Sequence, residues 1–82
     1  MSPCVTVYSR PGCHLCEVAL GEIRSISGVD FEVDVVDIEA DDDLLSRYLE
    51  RIPVVELDGE ELYEFHVDAS DLALRLKAAA GR

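Results

Sequence analysis

The apolar positions change period several times along the chain, and each change marks an element. Cys4-Val5-Thr6-Val7-Tyr8 is short, β-branched and aromatic, and it stops at Ser9-Arg10-Pro11-Gly12. Such a run reads as a buried first strand entering a loop. The spacing then turns helical: Leu15, Ala19, Ile23 and Ile26 recur at three or four residues, with Cys16 and Leu20 on the same broad face, until Gly28 ends the helix. Phe31, Val33 and Val35 alternate with Glu32 and Asp34, and Val36 and Ile38 flank Asp37. That pattern suits a second strand with one wetter face. A short helix follows, with Asp41, Asp42 and Asp43 at its start, Leu44, Leu45, Tyr48 and Leu49 on its apolar side, and Arg47 and Arg51 toward its end. It stops before Ile52-Pro53. Pro53–Leu57 and Leu62–Phe65 then bracket Asp58-Gly59, a dipeptide suited to a tight antiparallel turn. Asp68, with Asp71 three residues on, starts a last helix whose stripe is Leu72, Ala73, Leu76 and Ala79, with Arg75 and Lys77 toward its end. The order is βαβ, then α, then ββα, an α/β chain.

At 82 residues the chain has room for one domain, spanning 1–82. Apolar residues at 49% and charged ones at 30% fit a folded globular protein. A domain this short buries only about 60% of its extended-chain surface, which leaves little room for a large buried cofactor. Charge narrows the function classes. Seven Lys and Arg stand against 18 Asp and Glu, a net of −11, which repels phosphate backbones and anionic lipid headgroups. Nucleic acid and membranes are therefore not expected partners. The first cation is Arg10 and no apolar run near the start has the length of a signal segment, so a cytoplasmic protein is expected; a monomer is the expected state. Three cysteines make no disulfide framework, and the odd count leaves at least one thiol unpaired.

Two of the three cysteines form Cys13-His14-Leu15-Cys16, where the first loop becomes the first helix. A helix N-terminus presents unpaired N–H groups and partial positive charge, so a thiolate at Cys13 is expected to be stabilised below the ordinary pKa of about 8.5. Cys13 is the candidate nucleophile. Cys16, one turn further in and deeper against the sheet, is the candidate resolving thiol. Cys13 would attack a substrate disulfide, and Cys16 would displace the product from the mixed disulfide. Arg10 and His14 add positive or proton-donating groups near Cys13, against Glu17, and Tyr8 is a candidate to line the groove. Two other classes fit a C-x-x-C pair. A zinc site would draw further ligands from Cys4, His14 and His66, which offer no second tight pair, and a cluster bridging two copies is the related case; no metal is expected. A redox-inert binding module would keep the fold without the chemistry. Cys4 reads as a small buried apolar residue and His66 as a surface loop residue. The aspartates at 41–43 with Glu60, Glu61 and Glu64 add an acidic surface suited to basic partners.

The segment from Val7 through Cys16, the Ile52-Pro53-Val54 step and Asp58-Gly59 together resemble the glutaredoxin branch of the thioredoxin fold over nearly the whole chain. More closely, the chain resembles the short glutaredoxin-like proteins. The resemblance implies a thiol–disulfide oxidoreductase, with a four-stranded mixed sheet, the first and third helices on one side and the second on the other. It implies that Pro53 is cis and borders the substrate groove beside Cys13, and that the backbone of Ile52 pairs with a bound thiol peptide by strand addition. It also implies a disulfide-bearing protein or small-thiol substrate, a thiol or flavoprotein reductant, and no bound cofactor, with glutathione or another small thiol as co-substrate. The chain departs from typical glutaredoxins at two places. His14-Leu15 stands where Pro-Tyr is usual, and Tyr63-Glu64 stands where glutathione-binding members carry a glycine pair. Arg10 keeps the cationic position three residues before the nucleophile.

Overall fold

The computed structural model describes residues 2–81. Its elements are β1 (Cys4–Ser9), α1 (His14–Arg24), β2 (Glu32–Asp37), a 3₁₀ turn (Ile38–Ala40), α2 (Asp42–Tyr48), β3 (Val54–Leu57), β4 (Glu60–Glu64) and α3 (Ala69–Ala80). The strands form one sheet in the order β2-β1-β3-β4. β1 pairs with β2 in parallel and with β3 antiparallel, and β3 pairs antiparallel with β4. The expected α/β order and mixed four-stranded sheet are those observed.

The local signals behave as the chemistry of their residues requires. Asp41 Oδ1 accepts N–H bonds from Asp43 (2.8 Å) and Leu44 (3.3 Å), and Asp68 Oδ1 accepts from Asp71 (3.0 Å), so aspartates cap α2 and α3. Asp58 and Gly59 both have positive φ, 49° and 88°, the backbone of a two-residue turn between twisted strands. The β3–β4 register slips after Val55, which faces Tyr63, while Glu56 faces Glu61; Leu62 is the extra residue of a bulge.

Two apolar clusters cover the sheet. Val5, Val7 and Val55 point to α1 and α3, where they meet Ala19, Ile23, Val67, Leu72 and Leu76. On the other side Val54 joins Ile38, Tyr48 and Ile52, with Tyr8, Leu44 and Leu45 packed against them. Helices α1 and α3 therefore share one face and α2 takes the other. Cys16, near the start of α1, belongs to the second cluster.

Several positions differ from the sequence reading, among them Leu49 and Phe65, which are 42% and 43% exposed, Phe65 lying beyond the end of β4. Leu15 lies outside the buried face of α1 and is 40% exposed; that face is Cys16, Ala19 and Ile23, and Leu15 falls about 100° away from Cys16 around the helix. The helix ends at Arg24, with Ser25 bonded back to Gly21 and Glu22, so Gly28 is a loop residue of φ 84° rather than the terminator. β2 is an edge strand, and Val35 is 42% exposed, while Ile38 leaves the strand and is fully buried in the 3₁₀ turn. Cys4 is half-buried, because β1 buries Val5, Val7 and Ser9 and turns its alternate residues to the thinner side. No helix among the described residues is long and apolar enough to cross a membrane.

Candidate active site

The sheet delivers the cysteine pair to its edge through a tight loop. β1 ends at the buried Ser9, Gly12 adopts φ 78° with nothing within 4 Å of where a Cβ would stand, and Cys13 N–H closes the turn on Arg10 O at 3.3 Å. The glycine is required by its backbone conformation alone. Cys13 is then the N-cap of α1, in extended conformation (φ −83°, ψ 107°), and its Sγ accepts the N–H of Cys16 at 3.3 Å. A sulfur thus stands where Ser, Thr or Asp would ordinarily cap, against donors that have no partner inside the helix.

The two thiols are unequal. Cys13 is half-buried, whereas Cys16 is only 2% exposed. Burial pushes the Cys16 thiol from its ordinary 9.0 up to about 12, helped by its hydrogen bond with Cys13 and by the charge there; the backbone near Arg10 and Cys16 works weakly the other way. All three cysteines are free thiols. Among the described residues no three His, Cys, Asp or Glu side chains converge to hold a metal ion. Cys4 lies at the far end of β1 from the pair, and His66 is exposed in the loop before α3.

A cavity of about 260 Å³ opens beside the pair, walled by Arg10, Cys13, Cys16, Glu17, Leu20 and Asp37 with the Pro11-Gly12 loop. Arg10 does not stand free in it: its Nη2 lies 2.6 Å from Glu39 Oε2. His14 is exposed at the first position of α1 and is not part of the cavity wall. Tyr8 stacks on Tyr48, centroids 4.4 Å apart and planes at 19°, and its hydroxyl donates to Glu56 Oε1 at 3.2 Å. Burial and the Glu56 carboxylate push its pKa up to about 12. It therefore supports the second cluster, against which Cys13 also packs, with its hydroxyl engaged by Glu56.

The Ile52–Pro53 peptide is cis, and Pro53 is fully buried. Ile52 and Val54, on either side of it, share a cluster with Cys16. The Ile52 N–H donates to Tyr48 O at 3.1 Å, and the Pro53 carbonyl accepts from Phe65 N–H at 2.9 Å. Strand addition at Ile52 therefore rests on its carbonyl unless the bond to Tyr48 opens.

A family model described as a glutaredoxin-like domain (DUF836) matches residues 4–77. The chain belongs to that family. Among solved structures, protein XcR50 of X. campestris is 35% identical to this glutaredoxin-like chain, with 90% of this chain and 96% of that one covered and a TM-score of 0.64. Protein Ne2328 of Nitrosomonas europaea is 29% identical over 93% of each chain, with a TM-score of 0.79. A point mutant of thioredoxin from Halobacterium salinarum, 20% identical over 96% of this chain and 75% of that one, has a TM-score of 0.68 and shows the shared thioredoxin fold. No curated protein matches the sequence.

Four residues of this glutaredoxin-like site are given no site role by the sequence reading. Asp37 enters the cavity because the parallel register pairs it with Ser9, so both strands end at the same edge. That signal was available, since parallel strands in a βαβ unit bring their carboxyl ends together. Glu39, which holds Arg10, and Tyr48, which stacks on Tyr8 from the apolar side of α2, are distant in sequence from the cysteine pair and carry no signal that links them to it. Phe65 holds a left-handed backbone (φ 68°) close after β4, just beyond the position where glutathione-binding relatives carry glycine.

Proposed function

We propose that this glutaredoxin-like domain is a thiol–disulfide oxidoreductase, with Cys13 as nucleophile and Cys16 as resolving thiol. The observation that carries the reading is the Cys13 sulfur seated as N-cap of α1, with Cys16 buried one turn behind it. The Cys13 thiolate attacks one sulfur of a substrate disulfide. A Cys13–substrate disulfide forms and the other half leaves as a thiolate. Cys16 then loses its proton to solvent, its sulfur attacks Cys13, and the second half leaves. The substrate gains two electrons and the pair becomes a disulfide, which an external thiol or flavoprotein reductant returns to two thiols.

The unequal thiols suit this order. Two of the influences that hold the Cys16 proton, the hydrogen bond with Cys13 and the charge at Cys13, vanish once Cys13 is tied in a mixed disulfide. Only burial then opposes ionisation, so the resolving thiol is released when it is needed. The Ile52 carbonyl forms the edge on which a peptide substrate lies, with the buried Pro53 behind it and Tyr8 supporting that edge from below. Arg10 and His14 flank the nucleophile. The protein works as a cytoplasmic monomer without a bound cofactor or metal, on protein or small-thiol disulfides, with glutathione or another small thiol as co-substrate.

Intact-protein mass after equilibration across thiol–disulfide buffers, quenched by alkylation, tests the reading. The expected result is a reversible two-electron transition confined to Cys13 and Cys16, lost in Cys13→Ser, with a trapped mixed disulfide in Cys16→Ser. Full disulfide reductase activity in Cys13→Ser would overturn it.

A further inference from the structure

The cavity beside Cys13 carries more negative than positive charge at close range. Its one cation, Arg10, is paired with Glu39, and two further carboxylates, Glu17 and Asp37, line the same wall. Asp37 Oδ1 accepts the Glu39 N–H at 2.9 Å, which ties both carboxylates to one turn. One positive side chain thus stands against three negative ones. Among the described residues no cation besides Arg10 lines the cavity: Arg51 is held by Glu61 and Glu64, Arg47 by Asp43 and Arg75 by Asp71, while Arg24 and Lys77 stand in the last turns of α1 and α3. His14 is exposed at the helix start, and the partial charge of the helix end is directed at Cys13 Sγ. The whole chain adds a net charge of −11.

We propose that this cavity sorts disulfides by charge: the half of the substrate that lodges beside Cys13 carries an ammonium or no charge, and carboxylate-bearing thiols are disfavoured, so that of the co-substrates named above a small aminothiol or neutral thiol is preferred to glutathione. The proposal rests on thiol exchange at Cys13 and names the substrate class for it. A small thiol with an amino group places its cation against Glu17 and Asp37, whereas an anionic one meets both without a free arginine to receive it. Taking the charges at about 7 Å in water, changing the probe from one negative to one positive charge against a net of two negatives alters the rate by about 25-fold at low ionic strength. At ~0.5 M salt the same contrast shrinks to about twofold.

The test uses three symmetric disulfides: cystamine with two ammoniums, 2-hydroxyethyl disulfide with none, and 3,3′-dithiodipropionate with two carboxylates. Mixed-disulfide formation at Cys13 is followed by mass and peptide mapping in a Cys16→Ser background, which traps it. Each rate is divided by that of the same disulfide with a neutral small thiol. Cystamine is expected to exceed dithiodipropionate by tenfold or more at low salt, with the ratio collapsing as salt is added. Glu39→Gln, which frees Arg10, should raise the dithiodipropionate rate several-fold while the neutral probe changes less than twofold. Should that variant fail to fold, Asp37→Asn, which keeps the oxygen that accepts the Glu39 N–H, should lower the cystamine preference instead. Equal normalised rates, or a faster anionic probe, overturn the charge selection and leave thiol exchange standing. No reaction at Cys13 with any of the three overturns both.

Discussion

The burial of Cys16 makes a quantitative demand on its reactivity. With its pKa pushed from 9.0 to about 12, the thiolate fraction of Cys16 at neutral pH falls about a thousandfold below that of a solvated cysteine. A more basic thiolate is a better nucleophile, with a Brønsted slope of roughly 0.4–0.5, and this returns about 15–30-fold. The net effect is a reaction about 30–60-fold slower than in the unfolded chain, before any steric exclusion by its 2% exposure. Alkylation of the reduced protein by a neutral reagent, resolved by peptide and compared with the same protein in denaturant, measures this ratio for each cysteine. Half-buried Cys4 serves as the internal reference. In Cys13→Ser the serine oxygen still caps the helix but carries no charge, so Cys16 should recover part of its reactivity while burial retains the rest. A native Cys16 rate within about threefold of the denatured one would refute the buried, protonated state and remove its role as the thiol held in reserve.

Two glycines separate conformational demand from packing. Neither Gly21 nor Gly59 has any atom within 4 Å of a Cβ built on it, but only Gly59 has positive φ, 88°. Gly21→Ala within α1 should stabilise by about 0.5–1 kcal/mol and Gly59→Ala should destabilise by about 1–2 kcal/mol in urea unfolding; equal effects would contradict the turn geometry. Stability should also fall in alkali. Cys16 is raised from 9.0, and Tyr8 and Tyr63 from 10.0, all to about 12 and all chiefly by burial. Each acid is held protonated longer in the folded chain than in the unfolded one, so its contribution is intact below its unfolded pKa. That contribution is lost between roughly pH 9 and 12. Urea midpoints should decline across that window, less steeply in Cys16→Ala, and a flat profile would speak against burial of these groups.

Most of the fold was legible because each element carries its own local signal. The β-branched run of β1, the aspartate caps at Asp41 and Asp68 and the Asp58-Gly59 turn act over a few residues and need no knowledge of the rest. The misreadings fall where packing from elsewhere decides. Leu15 and Cys16 are adjacent and both suit an apolar face, and only the docking of α1 against the sheet determines which is covered. Val35 looks like an inward residue of an alternating strand, but β2 is an edge and Val35 is 42% exposed, while Ile38, beyond the strand, is buried in the other cluster. The bulge at Leu62 interrupts the alternation of β4, where adjacent Leu62 and Tyr63 both pack against the same cluster, and it arises only from the pairing with β3.

The site divides along the same line, and the division bears on how the protein recognises substrate. The cysteine pair was legible from its place between strand and helix, while the surroundings that set its electrostatics were not. Arg10 stands three residues before the nucleophile in sequence, yet Glu39, 29 positions away, takes its guanidinium. A cavity of about 260 Å³ falls below the usual 300–1,000 Å³ of a pocket for a drug-sized ligand, yet it has more room than a small thiol needs, so its walls fit such a molecule loosely. Shape can then contribute little to selection. What remains is the carbonyl edge at Ile52, which reads backbone and ignores side chains, and the charge of Glu17, Asp37 and Glu39. In so short a chain, discrimination between one disulfide and another rests on those three carboxylates more than on any complementary surface.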